Sequence, residues 1–149
     1  MRVLGLDLGS KRIGIALSDP EGAIASPFTT LERKGDVRDA AAVGALVEEH
    51  QVGEIVVGLP LHMDGRRGPE AEKARRFAAR LAQATGLPVA TLDERWTTVE
   101  AERALRESGR KGKKRRAVVD SVAAAILLRT WLERRAGVAQ RAAEREPTP

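Results

Sequence analysis

The first thirty residues alternate between short apolar runs and turn-forming clusters. Val3 to Leu8 is an apolar run of strand length. Gly9-Ser10-Lys11-Arg12 supplies a turn. Ile13, Ile15 and Leu17 then alternate with Gly14, Ala16 and Ser18, the period-two pattern of a half-buried strand. Asp19-Pro20-Glu21-Gly22 is turn chemistry again. Ala25 to Leu31 predicts a third strand. Pro27 assigns it to a sheet edge, because proline cannot donate to a ladder. Together these segments predict an antiparallel meander.

The period then lengthens. From Asp36 to Gln51, Val37, Ala40, Val43 and Val47 fall on one helical face. Glu54 to Leu59 predicts a buried strand, and Leu61 to Gly68 a glycine-bearing loop. Pro69 suits the first turn of a helix whose stripe is Ala71, Ala74, Phe77, Ala78 and Leu81, with Gly86 as its stop. Val89 to Leu92 predicts a fifth strand. Thr97 and Glu100 have capping-box spacing and open a helix that stops near Gly109. A last helix is expected from Ala117 to Arg135, and residues 136–149 are expected to form a flexible polar tail. Alternating helix and strand implies parallel neighbours joined by right-handed crossovers. The expected fold class is α/β: a five-stranded mixed sheet, three antiparallel strands then two parallel, with helices on both faces.

Composition narrows the function classes. A chain of 149 residues suits one domain with a full core. With 42% hydrophobic and 32% charged residues, the class is soluble globular. No apolar run has bilayer-spanning length, and Asp7 interrupts the apolar start, so neither a membrane span nor a secretion signal is expected. A cytoplasmic location follows as an expectation. The absence of cysteine excludes disulfides, thiolate zinc sites and cysteine nucleophiles. Two histidines leave a metal site to oxygen ligands, which suit hard ions such as Mg2+ or Mn2+.

The net charge of +5 fits a polyanionic partner, and its distribution favours nucleic acid. Arg110, Lys111, Lys113, Lys114, Arg115 and Arg116 place six cations in seven residues, a block that repels itself unless screened. Lys11 and Arg12 lie in the turn beside Asp7. Arg66 and Arg67 precede a helix start, where backbone N–H groups attract anions. These three groups are the expected nucleic-acid contacts. With no tyrosine and 3% aromatic residues, recognition is expected to rest on phosphate and shape rather than stacking.

Three segments carry candidate chemistry. Asp7 ends the first strand on the face of Val3, Gly5 and Gly9; a carboxylate there is costly unless paired or metal-bound. The two glycines are read as space for a phosphate or an ion. The alternative is a turn-capping aspartate. Asp93 and Glu94 follow the last strand, where open α/β sheets bind ligands; the alternative is a favourable helix-dipole position. Asp120 lies near the start of the final helix, among Ala117, Ala123 and Ala124, again with a dipole alternative. Acids from three distant segments are what two-metal phosphoryl hydrolysis requires. Spacing alone leaves their convergence open.

Four motifs occur in order. They are Gly5-Leu6-Asp7-Leu8-Gly9-Ser10-Lys11-Arg12-Ile13-Gly14; Val57-Gly58-Leu59-Pro60-Leu61 with Met63-Asp64-Gly65; Asp93-Glu94-Arg95 with Thr97-Thr98; and Val119-Asp120-Ser121-Val122-Ala123-Ala124. This succession, from residue 2 to about 132, resembles the YqgF/RuvX family. The resemblance implies an RNase H-like nuclease domain over residues 1–135 and carries the catalytic, metal-binding acids onto Asp7, Glu94 and Asp120, with Asp93 as a further metal-ligand candidate. It also implies maturation of the 5′ end of pre-16S rRNA or resolution of DNA junctions. His62 and Trp96 depart from the residues common in that family and bear on substrate preference, not on the acids.

Two other readings remain. Asp7 to Lys11 is similar to the first phosphate loop of sugar kinases and Hsp70-type ATPases, but those clamp ATP between two such domains. A non-catalytic RNA-binding ribosome-assembly or transcription factor would use the same cations, though it gains nothing from carboxylates facing phosphates. Monomer and homodimer both remain open.

Overall fold

Apolar runs on both faces mark strands buried from either side, and the middle of the sheet is built from two of them. In the computed structural model these are β1 (Arg2–Leu8) and β4 (Val52–Leu59). The structure describes residues 1–60, 68–96 and 113–145; for residues 96, 113–119, 144 and 145 it describes the backbone alone. The remaining elements are β2 (Arg12–Ser18), β3 (Ala25–Glu32), α1 (Asp36–His50), α2 (Pro69–Thr85), β5 (Val89–Asp93), a 3-10 turn (Glu94–Trp96) and α3 (Lys113–Arg145).

The sheet order is β3-β2-β1-β4-β5. β1 pairs antiparallel with β2, and β2 with β3; β1 pairs parallel with β4, and β4 with β5. The expected three-plus-two mixed sheet is therefore present. β3 is an edge strand, as Pro27 requires, and its register shifts beside that proline.

Alternation divides the interior into two layers. Leu4, Leu6, Ile13, Ile15, Ile55 and Val57 point to one face, covered by α1 and α2. Val3, Ala16, Val56 and Leu92 point to the other, covered by Ala123, Ala124, Leu127, Leu128 and Leu132 of α3. The helices thus flank both faces. The predicted α2 stripe is buried throughout, with Pro69 in its first turn and Gly86 as a left-handed cap, φ 71°. α1 departs from expectation at its first turn. Val37 is 67% exposed, and the buried first-turn residue is Asp39.

The last helix also departs from its expected limits of Ala117 and Arg135. It spans Lys113–Arg145, so Lys113, Lys114, Arg115 and Arg116 form its opening turn and ten residues of the expected tail are helical. Cations oppose the dipole at a helix start, but lysine, arginine and alanine are strong helix formers, and the packed middle of the helix supports extension in both directions. The helix expected from Thr97 to Gly109 and the loop holding His62 lie outside the described residues.

Candidate active site

Asp7 sits on the α3 face of the central strand and is 3% exposed. Gly14 is its cross-strand partner on β2. On the other side, the position following the Leu6–Val57 pair brings Gly58 of β4 beside it. Asp7 therefore lies between two glycines in one row across the sheet.

Each glycine is roofed by another of the acids. A Cβ on Gly14 would overlap the Asp120 backbone, with the Asp120 carbonyl carbon at 2.6 Å and its Cβ at 3.3 Å. A Cβ on Gly58 would overlap the Glu94 carboxyl group, whose carbon lies 3.0 Å away, and the Leu127 side chain. Neither glycine has a positive φ, so the need is for space rather than for an unusual backbone. The structure thus brings Glu94 and Asp120 to the two flanks of Asp7.

Local sequence explains each placement. Asp7 arrives by strand alternation. Glu94 follows Leu92, which faces α3, through the turn after β5, and its carboxyl group is fully buried. Asp120 is carried by α3, which settles on Gly5: a Cβ there would meet Leu128 Cβ at 2.9 Å. The space read beside Asp7 at Gly5 is therefore filled by the helix. Gly9 serves a tight turn, donating its N–H to the Arg12 carbonyl at 2.8 Å. Gly5 is therefore no vacancy for phosphate.

Asp93 stands apart from the row. It pairs across with Leu59, which belongs to the α1–α2 face. Its carboxylate accepts from the Arg95 backbone N–H at 2.9 Å and pairs with the Arg95 guanidinium at 2.6 Å. That closed loop shapes the turn presenting Glu94.

Two cations organise the surroundings. Arg12 Nε donates to Asp120 Oδ2 at 2.9 Å, with both side chains about one-fifth exposed (20% and 18%). Arg33, which sequence reading missed, pins the β1–β2 turn. It donates through Nη1 to the Gly9 carbonyl at 3.0 Å, and its backbone N–H reaches the Lys11 carbonyl at 2.9 Å. The buried Asp39 holds Arg33 Nε at 3.0 Å, and the guanidinium lies over the Phe77 ring. Arg66, Arg67, Arg110 and Lys111 lie outside the described residues, while Lys113 to Arg116 are placed as backbone in α3.

The family model described as RuvX, Holliday junction resolvase, matches residues 1–134. The chain belongs to the RuvX family. Among RuvX relatives, a protein of Anaeromyxobacter dehalogenans named "Putative pre-16S rRNA nuclease" is 47% identical over 91% of this chain and 99% of its own. A Moorella thermoacetica protein of the same name is 48% identical over 90% and 96%. The structure of T. thermophilus RuvC in complex with Holliday junction substrate superposes with a TM-score of 0.57 at 16% identity, over 92% of this chain and 96% of that one. At that identity the likeness speaks for a shared fold, which is the RNase H-like one.

For this RuvX chain the donor chemistry of the row suits a hard divalent ion: three carboxylates, two of them deeply buried. Among the described residues, however, no group of three or more histidines and acids stands ready to hold an ion. The Asp120 carboxylate is turned to Arg12 instead. No helix among the described residues is long and apolar enough to cross a membrane.

Proposed function

We propose that this chain is a metal-dependent nuclease that hydrolyses phosphodiester bonds in structured RNA, acting in the cytoplasm on the 5′ end of pre-16S rRNA. Asp7, Glu94 and Asp120 are its catalytic acids. The observation that carries this reading is the row across the sheet, in which Asp7 lies between two glycines and each glycine is covered by another acid.

Carboxylates collected in a buried place repel one another and lose hydration. A functional explanation is that Asp7, Glu94 and Asp120 hold Mg2+ or Mn2+. The chemistry such ions supply is activation of water and neutralisation of charge on the leaving oxygen. The residues of the chain do the rest. Asp7, on the central strand, would fix the position of the ion relative to the sheet. Glu94, buried beneath α3, keeps a water-poor wall at one flank. Lys11 and Arg12 at the β1–β2 turn, with Arg66, Arg67 and the block from Arg110 to Arg116, bind the backbone on either side. Asp93, the further metal-ligand candidate, is held by Arg95 and supports the turn that presents Glu94.

The names of the relatives favour rRNA; the family description favours a four-way DNA junction, whose symmetric resolution needs two sites and hence a dimer. The deciding experiment incubates the purified chain with Mg2+ or Mn2+ and either a pre-16S 5′ fragment or a four-way junction, beside Asp7→Asn. Cleavage of the RNA by the wild type, lost in Asp7→Asn with binding retained, is the expected result. Junction cleavage alone moves the assignment to DNA. Binding without metal-dependent cleavage of either substrate leaves an RNA-binding assembly factor.

A further inference from the structure

The Arg12–Asp120 pair occupies a carboxylate that the proposed reaction needs. Strand β2 and helix α3 meet there because Gly14 admits the Asp120 backbone, and Arg12 lies two residues before Gly14 on the same sheet face. The Arg12 carbonyl is fixed by the Gly9 N–H, so the residue's backbone is anchored while its side chain extends over the site. Both side chains keep about a fifth of their surface in contact with solvent. Each partner thus keeps a solvated edge, and a divalent ion, with twice the charge of the guanidinium, is the stronger electrostatic partner for the carboxylate.

We infer that Arg12 is the resident counter-cation of Asp120, exchanged for a divalent ion when the site loads and thereby released to a substrate phosphate. This rests on the nuclease reading and adds a coupling to it. In the unloaded protein the guanidinium offsets part of the charge of the three acids. The guanidinium holds Oδ2, so an ion arriving at Asp120 competes with it for the charge of that carboxylate. Once displaced, the guanidinium lies beside the acids with no carboxylate partner there, and a phosphate diester supplies the replacement. Metal and nucleic acid then each raise the affinity for the other by the same factor, as linkage requires. A guanidinium suits this role because it stays charged in either position and matches carboxylate and phosphate alike. Arg12 touches Asp120 in the unloaded protein and the substrate phosphate in the loaded one, so it is a binding residue of the site in both.

The experiment measures Mn2+ affinity by electron paramagnetic resonance of the free ion, using the full chain at low ionic strength. Wild type, Arg12→Gln, Arg12→Lys and Asp7→Asn are compared, each with and without a stem-loop RNA in which methylene groups replace the bridging oxygens, which blocks cleavage and keeps the anionic phosphoryl oxygens. Arg12→Gln should bind Mn2+ about tenfold more tightly than wild type without RNA, the size of effect one nearby unit charge exerts on a divalent ion at the dielectric of water. The RNA should tighten Mn2+ binding in wild type and much less in Arg12→Gln. Arg12→Lys, which keeps the charge, should stay near wild type; it also serves if Arg12→Gln fails to fold by circular dichroism, since a lysine pairs with Asp120 less rigidly and should bind Mn2+ no more weakly than arginine. Equal or weaker Mn2+ binding in Arg12→Gln overturns the exchange, as does weaker binding in Arg12→Lys. Failure of the wild type to bind Mn2+ in a manner sensitive to Asp7→Asn overturns the metal reading itself.

Discussion

The backbone of Asp120 occupies the space that a side chain on Gly14 would need. Gly14→Ala must therefore push α3 off the sheet, since the obstacle is backbone and cannot rotate away. Overpacking of this kind costs about 1–3 kcal/mol. Urea denaturation should show that loss, and cleavage should fall with it because Asp120 moves. A Gly14→Ala protein of wild-type stability would contradict the packing described for this corner.

Glu94→Gln separates charge from volume. The side chain is fully buried and nearly isosteric with glutamine. Glutamine keeps the volume and an acceptor oxygen while taking one charge out of a buried group of acids that repel one another, so the melting temperature should hold or rise. Cleavage should drop by about 100-fold or more, the range for losing part of the machinery that stabilises transition-state charge. Single-turnover rates beside thermal unfolding give both numbers. Loss of stability without loss of rate would make Glu94 a structural residue.

Asp39→Ala tests the clamp on the β1–β2 turn. Asp39 accepts from the Lys34 backbone N–H at 3.0 Å as well as from Arg33. Its removal leaves Arg33 without its most buried partner. Because Arg33 is itself 24% exposed, solvent offsets part of the loss, and about 1–3 kcal/mol is expected. Amide exchange at Gly9 should quicken, since Arg33 holds that peptide by its carbonyl. Unchanged exchange would show that the turn holds without the clamp.

Phosphate contact by the opening turn of α3 has a salt signature. Replacing Lys113, Lys114, Arg115 and Arg116 by glutamine should weaken RNA binding and flatten the plot of log affinity against log salt. Each lost contact lowers the slope by about 0.7–0.9. An unchanged slope would remove this turn from the interface.

Acid should reveal the β2–β3 turn. Asp19 accepts hydrogen bonds from the Ile24 and Ala23 backbone N–H groups at 2.7 and 2.8 Å, which hold its pKa below the ordinary 3.8. A folded-state pKa below the unfolded one gives stability that is present above the unfolded value and lost as pH falls through the folded one. Wild type should melt above Asp19→Ala at neutral pH, and the gap should close only below about pH 4. A gap that persists at lower pH would assign the effect to chain conformation instead.

Much of this architecture was legible in residue order. The α2 stripe, the meander and the Pro27 edge follow from period and turn chemistry, because each depends on neighbours within a few residues. The family motifs likewise named the three acids. What residue order could not state was which atoms fill the space beside a glycine. Gly5 reads equally as room for an ion or a bed for a helix, and Leu128 decides it from over a hundred residues away. The signal at Gly14 was available: a glycine inside an otherwise apolar strand marks a close backbone approach. The start of α3 was misplaced because four cations argue against a helix N-terminus locally, whereas packing of Ala123 to Leu132 supports the helix from a distance. Val37 failed as a core residue for a related reason. The first turn of α1 is governed by Arg33 and Asp39, a polar pair that hydrophobic period cannot register.

α3 is an unbroken helix of 33 residues, with Lys113 to Arg116 in its opening turn and Asp120 one to two turns later. No loop separates them, so their separation along the axis is about 6–10 Å, set by helical rise alone. The helix is in this sense a gauge between a cationic stop and an acid. Point substitutions change what stands at either mark. Inserting one residue after position 116 would instead rotate the marks by about 100° and part them by about 1.5 Å, altering which phosphate along a bound strand meets Asp120.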